Sequence, residues 1–309
     1  MNIIQKDKGY INGLWLFFVL FVIFIIGNIL IGLYLREFAL YHEILDILIP
    51  MLVYLWWKKK PFITALKLHK SLNRESIIII CILFLVSFLL KYGINYFVLL
   101  TGFINPTEVT SKVMEMVPNL FTFFIAVAVI PVFLEEFIIR GVTLNEFTDT
   151  SLWQSAIMTG LLFGMMHVNL GQLGYTTALG IIMAAIVITT GSIWGSILFH
   201  FLNNFLSFAV LGGIKILEGY IPTEVTNEII HGQGNDMLQY NNIFTLMVGV
   251  FIAGIALVGG ILLTYHLIKK LERENDYTEQ PRVSWARLFF NVPFMLILTA
   301  YIGVNILFY

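Results

Sequence analysis

The sequence predicts an all-α fold, a polytopic transmembrane helix bundle of about nine spans, and its composition is the first reason. Of the 309 residues, 59% are hydrophobic and 12% are charged, and the mean hydropathy is +0.87. Soluble domains contain about 45–50% apolar and about 25% charged residues, so this chain has too little polar surface to fold in water. Disorder is excluded on the same ground, and the net charge of −1 excludes a nucleic-acid-binding protein, which needs a basic surface.

The second reason is the number of apolar stretches that approach the roughly 20 residues a membrane helix needs. The fifth and sixth stretches are short and interrupted by glycine, so either could be tilted or only partly spanning, and the count is eight to nine. The whole chain, 1–309, is predicted to be a single integral membrane domain. The nine stretches are 12–35, 38–57, 76–100, 119–143, 152–168, 174–190, 193–212, 243–267 and 288–309.

The third reason is the distribution of lysine and arginine, which are enriched in cytosolic loops. With a cytosolic N-terminus, thirteen of the 18 lie in cytosolic segments, chiefly in the loop 58–75 and beyond the eighth span. The sequence therefore predicts a multi-pass protein of the cell membrane with a cytosolic N-terminus and an extracytosolic C-terminus. The stretch 213–242 becomes an extracytosolic loop, interpreted as a solvated connector in preference to a functional lid.

Ionisable side chains within membrane helices are costly and are candidates for function. One group consists of His42, Glu43 and Asp46 in the second span and Lys91 in the third. An ion pair between neighbouring helices would explain this group without any chemistry. That structural interpretation is preferred over a substrate-contacting or proton-carrying role.

A second group lies in the fourth, fifth and seventh spans, within 70 residues of sequence. It contains Glu135, Glu136, His167, His200 and Asn204. Each would cost several kcal/mol if it were stranded alone in lipid, so the group must converge in the bundle. Helix rise places Glu135 and His167 at matching depth, whereas His200 needs a tilted helix or a recessed turn to reach them.

Spacing within the fourth span separates the two carboxylates. Glu136 and Arg140 are four residues apart with the acid first, the favoured order for an ion pair, so Arg140 can hold Glu136 ionised. Glu135 is rotated by about 100° and is free to face the other helices. It is the best candidate for a general base that activates water.

The remaining members suggest supporting roles. His200 and Asn204 share one helix face and could donate hydrogen bonds to a developing oxyanion. Phe163 shares the face of His167 and packs against its imidazole. Pro131 removes the helical hydrogen bond to the carbonyl of Val127, which predicts a kink just ahead of the carboxylates.

These residues form three motifs that resemble those of the CPBP family, the CAAX proteases and bacteriocin-processing enzymes, also called the Abi family. The resemblance covers roughly 119–212, the fourth to seventh spans, which it identifies as a CPBP-like catalytic core. The motifs are Glu-Glu-x-x-x-Arg at 135–140, Phe-x-x-x-His at 163–167 and His-x-x-x-Asn at 200–204, with Gly-Ser-Ile-Trp-Gly-Ser-Ile-Leu at 191–198 leading into the third.

The resemblance implies an intramembrane endopeptidase in which Glu135 and His167 activate water and His200 and Asn204 stabilise the oxyanion. Composition rich in Ile, Phe, Asn and Lys is typical of a bacterial source with an AT-rich genome. A membrane-bound leader, pheromone or bacteriocin-like peptide is therefore expected as substrate in preference to a prenylated CAAX protein. The alternatives are a non-catalytic immunity or scaffold protein and, less favoured, a proton-coupled transporter, which would more often show paired repeats.

The cofactor is left open between none and zinc. A catalytic zinc takes three protein ligands, and His167, His200 and Glu135 (or Glu136) could supply them. A metal-free mechanism is preferred because it also uses Asn204, a poor zinc ligand. The partners expected are the lipid bilayer and a membrane-bound peptide or protein substrate, with a monomer preferred because the small-residue pairs are interpreted as packing within one chain. Those pairs are Gly160/Gly164, Gly191/Gly195 and Gly249/Ala253.

Overall fold

The computed structural model describes residues 9–34, 44–101, 119–217, 243–280 and 282–308. These residues form eleven helices. They are α1 Gly9–Tyr34, α2 Ile44–Trp57, α3 Phe62–Ala65, α4 Arg74–Leu100, α5 Leu120–Glu146, α6 Leu152–Met166, α7 Leu170–Thr190, α8 Ile193–Ile216, α9 Ile243–Glu274, α10 Trp285–Phe289 and α11 Val292–Phe308.

The all-helical prediction is confirmed for the described residues, and each predicted span overlaps an apolar helix. Six helices are long and apolar enough to cross a membrane, namely α1, α4, α5, α7, α8 and α9, whereas α2, α6 and α11 are shorter apolar helices. The prediction that the sixth stretch is short is wrong, because α7 has 21 residues. The predicted stretch began too late because the first turn of α7 is polar. The Asn169 side chain caps α7 there by accepting a hydrogen bond from the Gln172 amide at 3.0 Å.

Helix α5 is irregular on both sides of its two glutamates. Residues Ile125–Val129 and Phe137–Thr143 form π-helical turns, and the intervening Ile130–Glu136 is α-helical with Pro131 near its start. A proline cannot donate to the carbonyl four residues earlier, and π-turns are a usual response to such a defect. The predicted kink ahead of the carboxylates therefore takes the form of a π-turn.

Five segments that the charge pattern predicts to be cytosolic meet at one end of the bundle. They are the start of α1, the 58–73 segment, the end of α5, the α7–α8 turn and the end of α9 with the residues after it. Their convergence is the pattern that alternating spans require, whichever side of the membrane this end faces. The contacts that join them are Tyr10–Asp149, Lys60–Glu146, Lys70–Ser192, Ser76–Asn275 and Gln154–Val283.

Helix α7 lies at the centre and packs against α4, α6, α8 and α9. Its contact with α6 is close: a Cβ placed on Gly160 would lie 2.6 Å from the Ile181 amide nitrogen, and one on Gly180 would lie 2.8 Å from the Gly160 Cα. The other small-residue pairs also contact helices or loops of the same chain, since Gly191 meets Lys70 and Gly249 meets Tyr96. These small residues thus make close contacts within one chain, and the preference for a monomer stays a prediction.

One prediction requires correction, and another stays untested. Lys91 donates to Asn203 of α8 at 2.8 Å, and Asp46 lies against Gly27 of α1. The ion pair predicted for the first polar group stays a prediction, because part of that group is not described. The predicted loop 213–242 begins too early, because α8 continues to Ile216, and its remainder from 218 lies outside the described residues. His42 and Glu43 of the first polar group also lie outside them.

Candidate active site

The centre of the site is a buried ion pair within α5. Glu136 and Arg140 are both fully buried, and Arg140 Nη1 donates to Glu136 Oε1 at 2.9 Å, as their spacing predicts. The guanidinium also donates from Nη2 to the Gly180 carbonyl of α7 at 3.2 Å and lies 4.4 Å from the Phe163 ring of α6. Arg140 thus ties three helices together around the Glu136 carboxylate.

His200 of α8 contacts both carboxylates of α5. Its Nδ1 lies 3.0 Å from Glu136 Oε1, and its Nε2 lies 3.7 Å from Glu135 Oε2. A carboxylate is an acceptor, so the proton shared in the Nδ1 contact resides on the imidazole, and Nε2 faces Glu135. The imidazole, only 6% exposed, is therefore fixed in orientation by Glu136 as well as aimed at Glu135.

The depth mismatch that the sequence predicts for His200 is resolved by a recessed turn. Gly191 adopts the left-handed conformation with φ 67° and ends α7, and Ser192 caps α8. The Trp194 indole donates to the Leu68 carbonyl at 3.0 Å, and Ser192 donates to the Lys70 carbonyl. The 66–72 segment thus covers the turn and allows α8 to begin deep within the bundle.

His167 lies at the end of α6, where the chain turns sharply into α7. Its Nδ1 is 2.9 Å from the Phe163 carbonyl, and its ring meets the Phe163 ring edge-on at 4.9 Å, the predicted packing. The Phe163 ring also lies 5.7 Å from the His200 ring, so one aromatic side chain contacts both imidazoles. The next residue, Val168, has φ 48°, a strained conformation for a β-branched residue.

Asn204 has a structural partner that the sequence interpretation did not assign. Its Nδ2 donates at 3.0 Å to the Val127 carbonyl, the group that Pro131 deprives of its helical donor. One amide N–H of Asn204 is thus occupied by α5, and the second N–H is left for another acceptor. Both His200 and Asn204 contact α5, in agreement with their predicted common face.

Whether the site could hold zinc depends on how its potential ligand side chains are grouped. Within the described residues, no three His, Cys, Asp or Glu side chains are grouped closely enough to hold an ion. His200 Nδ1 is held by Glu136, and His167 Nδ1 by the Phe163 carbonyl, so each of these nitrogens already has a partner within the protein. As described, Glu135, His167 and His200 do not form a group that fits a zinc centre.

A polar contact that sequence reasoning missed lies beside the site, between α4 and α8. Asn203 Oδ1 accepts from Lys91 Nζ at 2.8 Å and from Ser87 Oγ at 3.4 Å. The four-residue spacing of Ser87 and Lys91, which places both on one face of an apolar helix, is the signal that could have found it.

The fold and this geometry define a polytopic membrane protein with a buried Glu–His–Arg cluster at the junction of α5, α6 and α8. Residues 117–206 match the family described as "Type II CAAX prenyl endopeptidase Rce1-like". This segment is a domain of that protease family, as the motifs predict, and it contains every member of the cluster.

A bacterial protein is also similar to this chain. Over 135 residues, 43% of the chain, the sequence is 24% identical to "Putative membrane peptidase YdiL" of Bacillus subtilis (strain 168). The match covers 54% of that protein, so the chain spans about half the length of the curated relative it matches. No solved structure matches the chain.

Proposed function

We propose that this protein is an intramembrane endopeptidase that hydrolyses peptide bonds of membrane-associated peptides or proteins. The observation that carries the proposal is that one buried imidazole, His200, contacts two adjacent carboxylates, with Glu136 at 3.0 Å and Glu135 at 3.7 Å. Two carboxylates in different environments are the usual basis for separate acid–base and supporting roles. The family match over 117–206 supports hydrolysis of peptides as the reaction.

Glu135 is the general base in this mechanism. It accepts a proton from a water molecule as the water oxygen attacks the carbonyl carbon of the scissile bond, and His167 orients that water from the α6–α7 turn. When the tetrahedral intermediate collapses, the C–N bond breaks and the proton passes from Glu135 to the leaving amine. One water is consumed, and one carboxyl group and one amine are formed.

The oxyanion of the intermediate is stabilised by His200 and Asn204. Nδ1 of His200 is engaged with Glu136, so Nε2 donates only when the imidazole is doubly protonated, and Glu136 then balances its charge. Asn204 contributes its second amide N–H while its first N–H holds the Val127 carbonyl. Arg140 and Phe163 keep Glu136 and both imidazoles in place, so the donors are organised before the substrate arrives.

The setting of the reaction follows from the charge pattern. We place the protein in a bacterial cell membrane with nine spans, its basic end in the cytosol and its substrate entering from the bilayer. Residues 119–212 serve as the catalytic core, and a hydrophobic leader or pheromone-like peptide is the substrate. The convergence of the five predicted cytosolic segments at one end of the bundle supports the alternation of the spans, and the charge pattern alone assigns that end to the cytosol.

The test uses purified wild-type protein and Glu135→Gln, each incubated in lipid with a library of hydrophobic and leader-like peptides. Mass spectrometry should detect new peptide termini with the wild type and none with Glu135→Gln. Glu146→Gln is the matched control, because this glutamate lies at the end of the same helix and pairs with Lys60, away from the site, and it should retain cleavage. Equal cleavage by Glu135→Gln, or none by a folded wild type, would refute the proposal.

A chelator arm addresses zinc in the same assay. Wild-type protein dialysed against a strong chelator should cleave at an unchanged rate, because the acid–base pair and the oxyanion donors are all side chains of this chain. A loss of cleavage that returns on adding zinc would replace this mechanism with a metal-dependent one.

A further inference from the structure

The first two helices enclose a cavity that takes no part in the proposed mechanism. Helix α1 packs closely against the Ile44–Leu48 turn of α2 and less closely against the rest of that helix. Where the packing is looser, a cavity of about 580 Å³ lies between them. Small-molecule sites have volumes of about 300–1,000 Å³, so this cavity is large enough to hold a ligand. Its walls consist mainly of apolar side chains from both helices, among them Leu16, Leu20, Ile23, Ile49 and Val53.

The cavity has the length of one bilayer leaflet. Its lining on α1 extends from Asn12 to Ile23, eleven residues further along the helix, which is about 16 Å at the helical rise. The hydrocarbon core of a bilayer is about 30 Å thick, so each leaflet contributes about 15 Å. A lipid acyl chain that lies along α1 within one leaflet therefore matches the cavity in length and in polarity.

Polar side chains line one end of the cavity. Asn12 lies near the start of α1, and Lys58 follows the last residue of α2, so the two lie at the same end. Exposed tryptophans surround this end, namely Trp15, Trp56 and Trp57. Because tryptophan is enriched at the boundary between membrane and water, this end lies at the level of the lipid headgroups and the remainder of the cavity lies in hydrocarbon.

The position of Lys58 is fixed by the contacts of its neighbours. Lys60 forms an ion pair with Glu146 of α5, and Tyr54 donates to the same carboxylate at 2.9 Å, so the end of α2 is attached to α5. The Lys58 ammonium lies 4.7 Å from the Trp57 ring, beside the cavity. A cation at headgroup level next to an apolar cavity is complementary to a lipid phosphate whose acyl chain enters that cavity, and the charge pattern assigns this end to the cytosolic leaflet, which carries anionic lipids.

We propose that α1 and α2 bind one anionic phospholipid of the surrounding bilayer, with an acyl chain in the cavity and the headgroup phosphate at Lys58. The Asn12 amide supplies a further hydrogen-bond donor to the headgroup. The cavity shares no residue with the Glu–His–Arg cluster, so the inference does not depend on peptidase activity. Both helices lie outside the matched segment 117–206, so the family match gives this cavity no role.

The first test measures lipid binding to purified protein in detergent by native mass spectrometry. The wild type is titrated with phosphatidylglycerol or phosphatidylcholine that carry the same acyl chains. One phosphatidylglycerol should bind with a Kd about fivefold lower than that of phosphatidylcholine, the effect of one lysine near an anionic lipid. Glycerol phosphate, which has the phosphate without the chains, should not compete at the same concentration. Equal affinities for the two lipids, or competition by glycerol phosphate, would overturn the inference.

Two variants test the headgroup contact and the cavity separately. Lys58→Gln should lose the preference for phosphatidylglycerol, whereas Lys270→Gln, the matched control at an exposed lysine of α9, should keep it. Val53→Trp fills the cavity and should weaken binding of both lipids, whereas Leu52→Trp adds the same ring outside the lining and should bind like the wild type.

Lys58 and Val53 are both exposed, so their variants should fold, and circular dichroism checks that they do. A preference for phosphatidylglycerol that survives in folded Lys58→Gln would overturn the assignment of the phosphate to this lysine. Wild-type affinity in folded Val53→Trp would show that no acyl chain occupies the cavity.

Discussion

The amide of Asn204 should stabilise the protein only while Pro131 is present. In α5 the proline leaves the Val127 carbonyl without its helical donor, and Asn204 supplies a replacement at 3.0 Å. Replacing proline by alanine restores a backbone N–H four residues after Val127. The side-chain donor then becomes redundant.

The expected size follows from the cost of a polar group without a partner. An unsatisfied buried acceptor costs about 1–3 kcal/mol, and hydrogen bonds between membrane helices are worth about 0.6 kcal/mol on average and up to about 2. We therefore expect Asn204→Ala to lower the free energy of unfolding by about 1–2 kcal/mol in the wild type. In the Pro131→Ala background the loss should be under about 0.5 kcal/mol, within the usual scatter of independent sites.

The assay is reversible unfolding in mixed micelles, followed by circular dichroism, for the four members of this double-mutant cycle. Asn305→Ala is the matched control, because its amide also donates to a carbonyl, that of Tyr301, at 2.9 Å, but on α11. Its cost should be the same in both Pro131 backgrounds. If Asn204→Ala cost as much with alanine at 131 as with proline, the pairing of Asn204 with the proline defect would be wrong.

Three further predictions concern the ion pair, the helix contact and the topology. Glu136→Gln should lower the free energy of unfolding by about 3–5 kcal/mol, because it leaves the fully buried Arg140 without its counter-ion. Adding Arg140→Met should not double that loss, and strictly additive losses in chemical unfolding would contradict the pairing. Gly160→Ala should lower the free energy of unfolding by about 1–3 kcal/mol, since the new Cβ would lie 2.6 Å from a backbone nitrogen. Gly254→Ala, which has open space around it, should be neutral or slightly stabilising in the same assay. Thr278→Cys, in a background without the native cysteine, should react with a membrane-impermeant maleimide only when the cytosolic face is exposed, and labelling of intact cells would reverse the proposed orientation.

Sequence periodicity and polarity were sufficient to predict the positions of the helices and the contacts within single helices. The positions of the nine apolar helices follow from the length of apolar runs, because a bilayer accepts only helices of about that length with their backbone hydrogen bonds satisfied internally. The Glu136–Arg140 pair and the Phe163–His167 contact were also predictable. Each joins residues four apart on one helix, where geometry depends on local structure alone.

Contacts between helices could be identified only from the tertiary structure. The sequence grouped Lys91 with the acidic residues of the second span on charge alone, whereas the fold brings Lys91 to Asn203, because α4 and α8 pack against each other and against α7. The recessed α7–α8 turn likewise depends on the cover that the 66–72 segment provides.

The sequence by itself therefore determined the class of protein, the helices and the chemical groups available, since these depend on composition and local spacing. Only the tertiary structure decided that His200 contacts both Glu135 and Glu136 and that Asn204 serves the carbonyl freed by Pro131. Spacing along one helix cannot show which residue of another helix a given side chain contacts. That choice depends on how all the helices pack, which no single stretch of sequence contains.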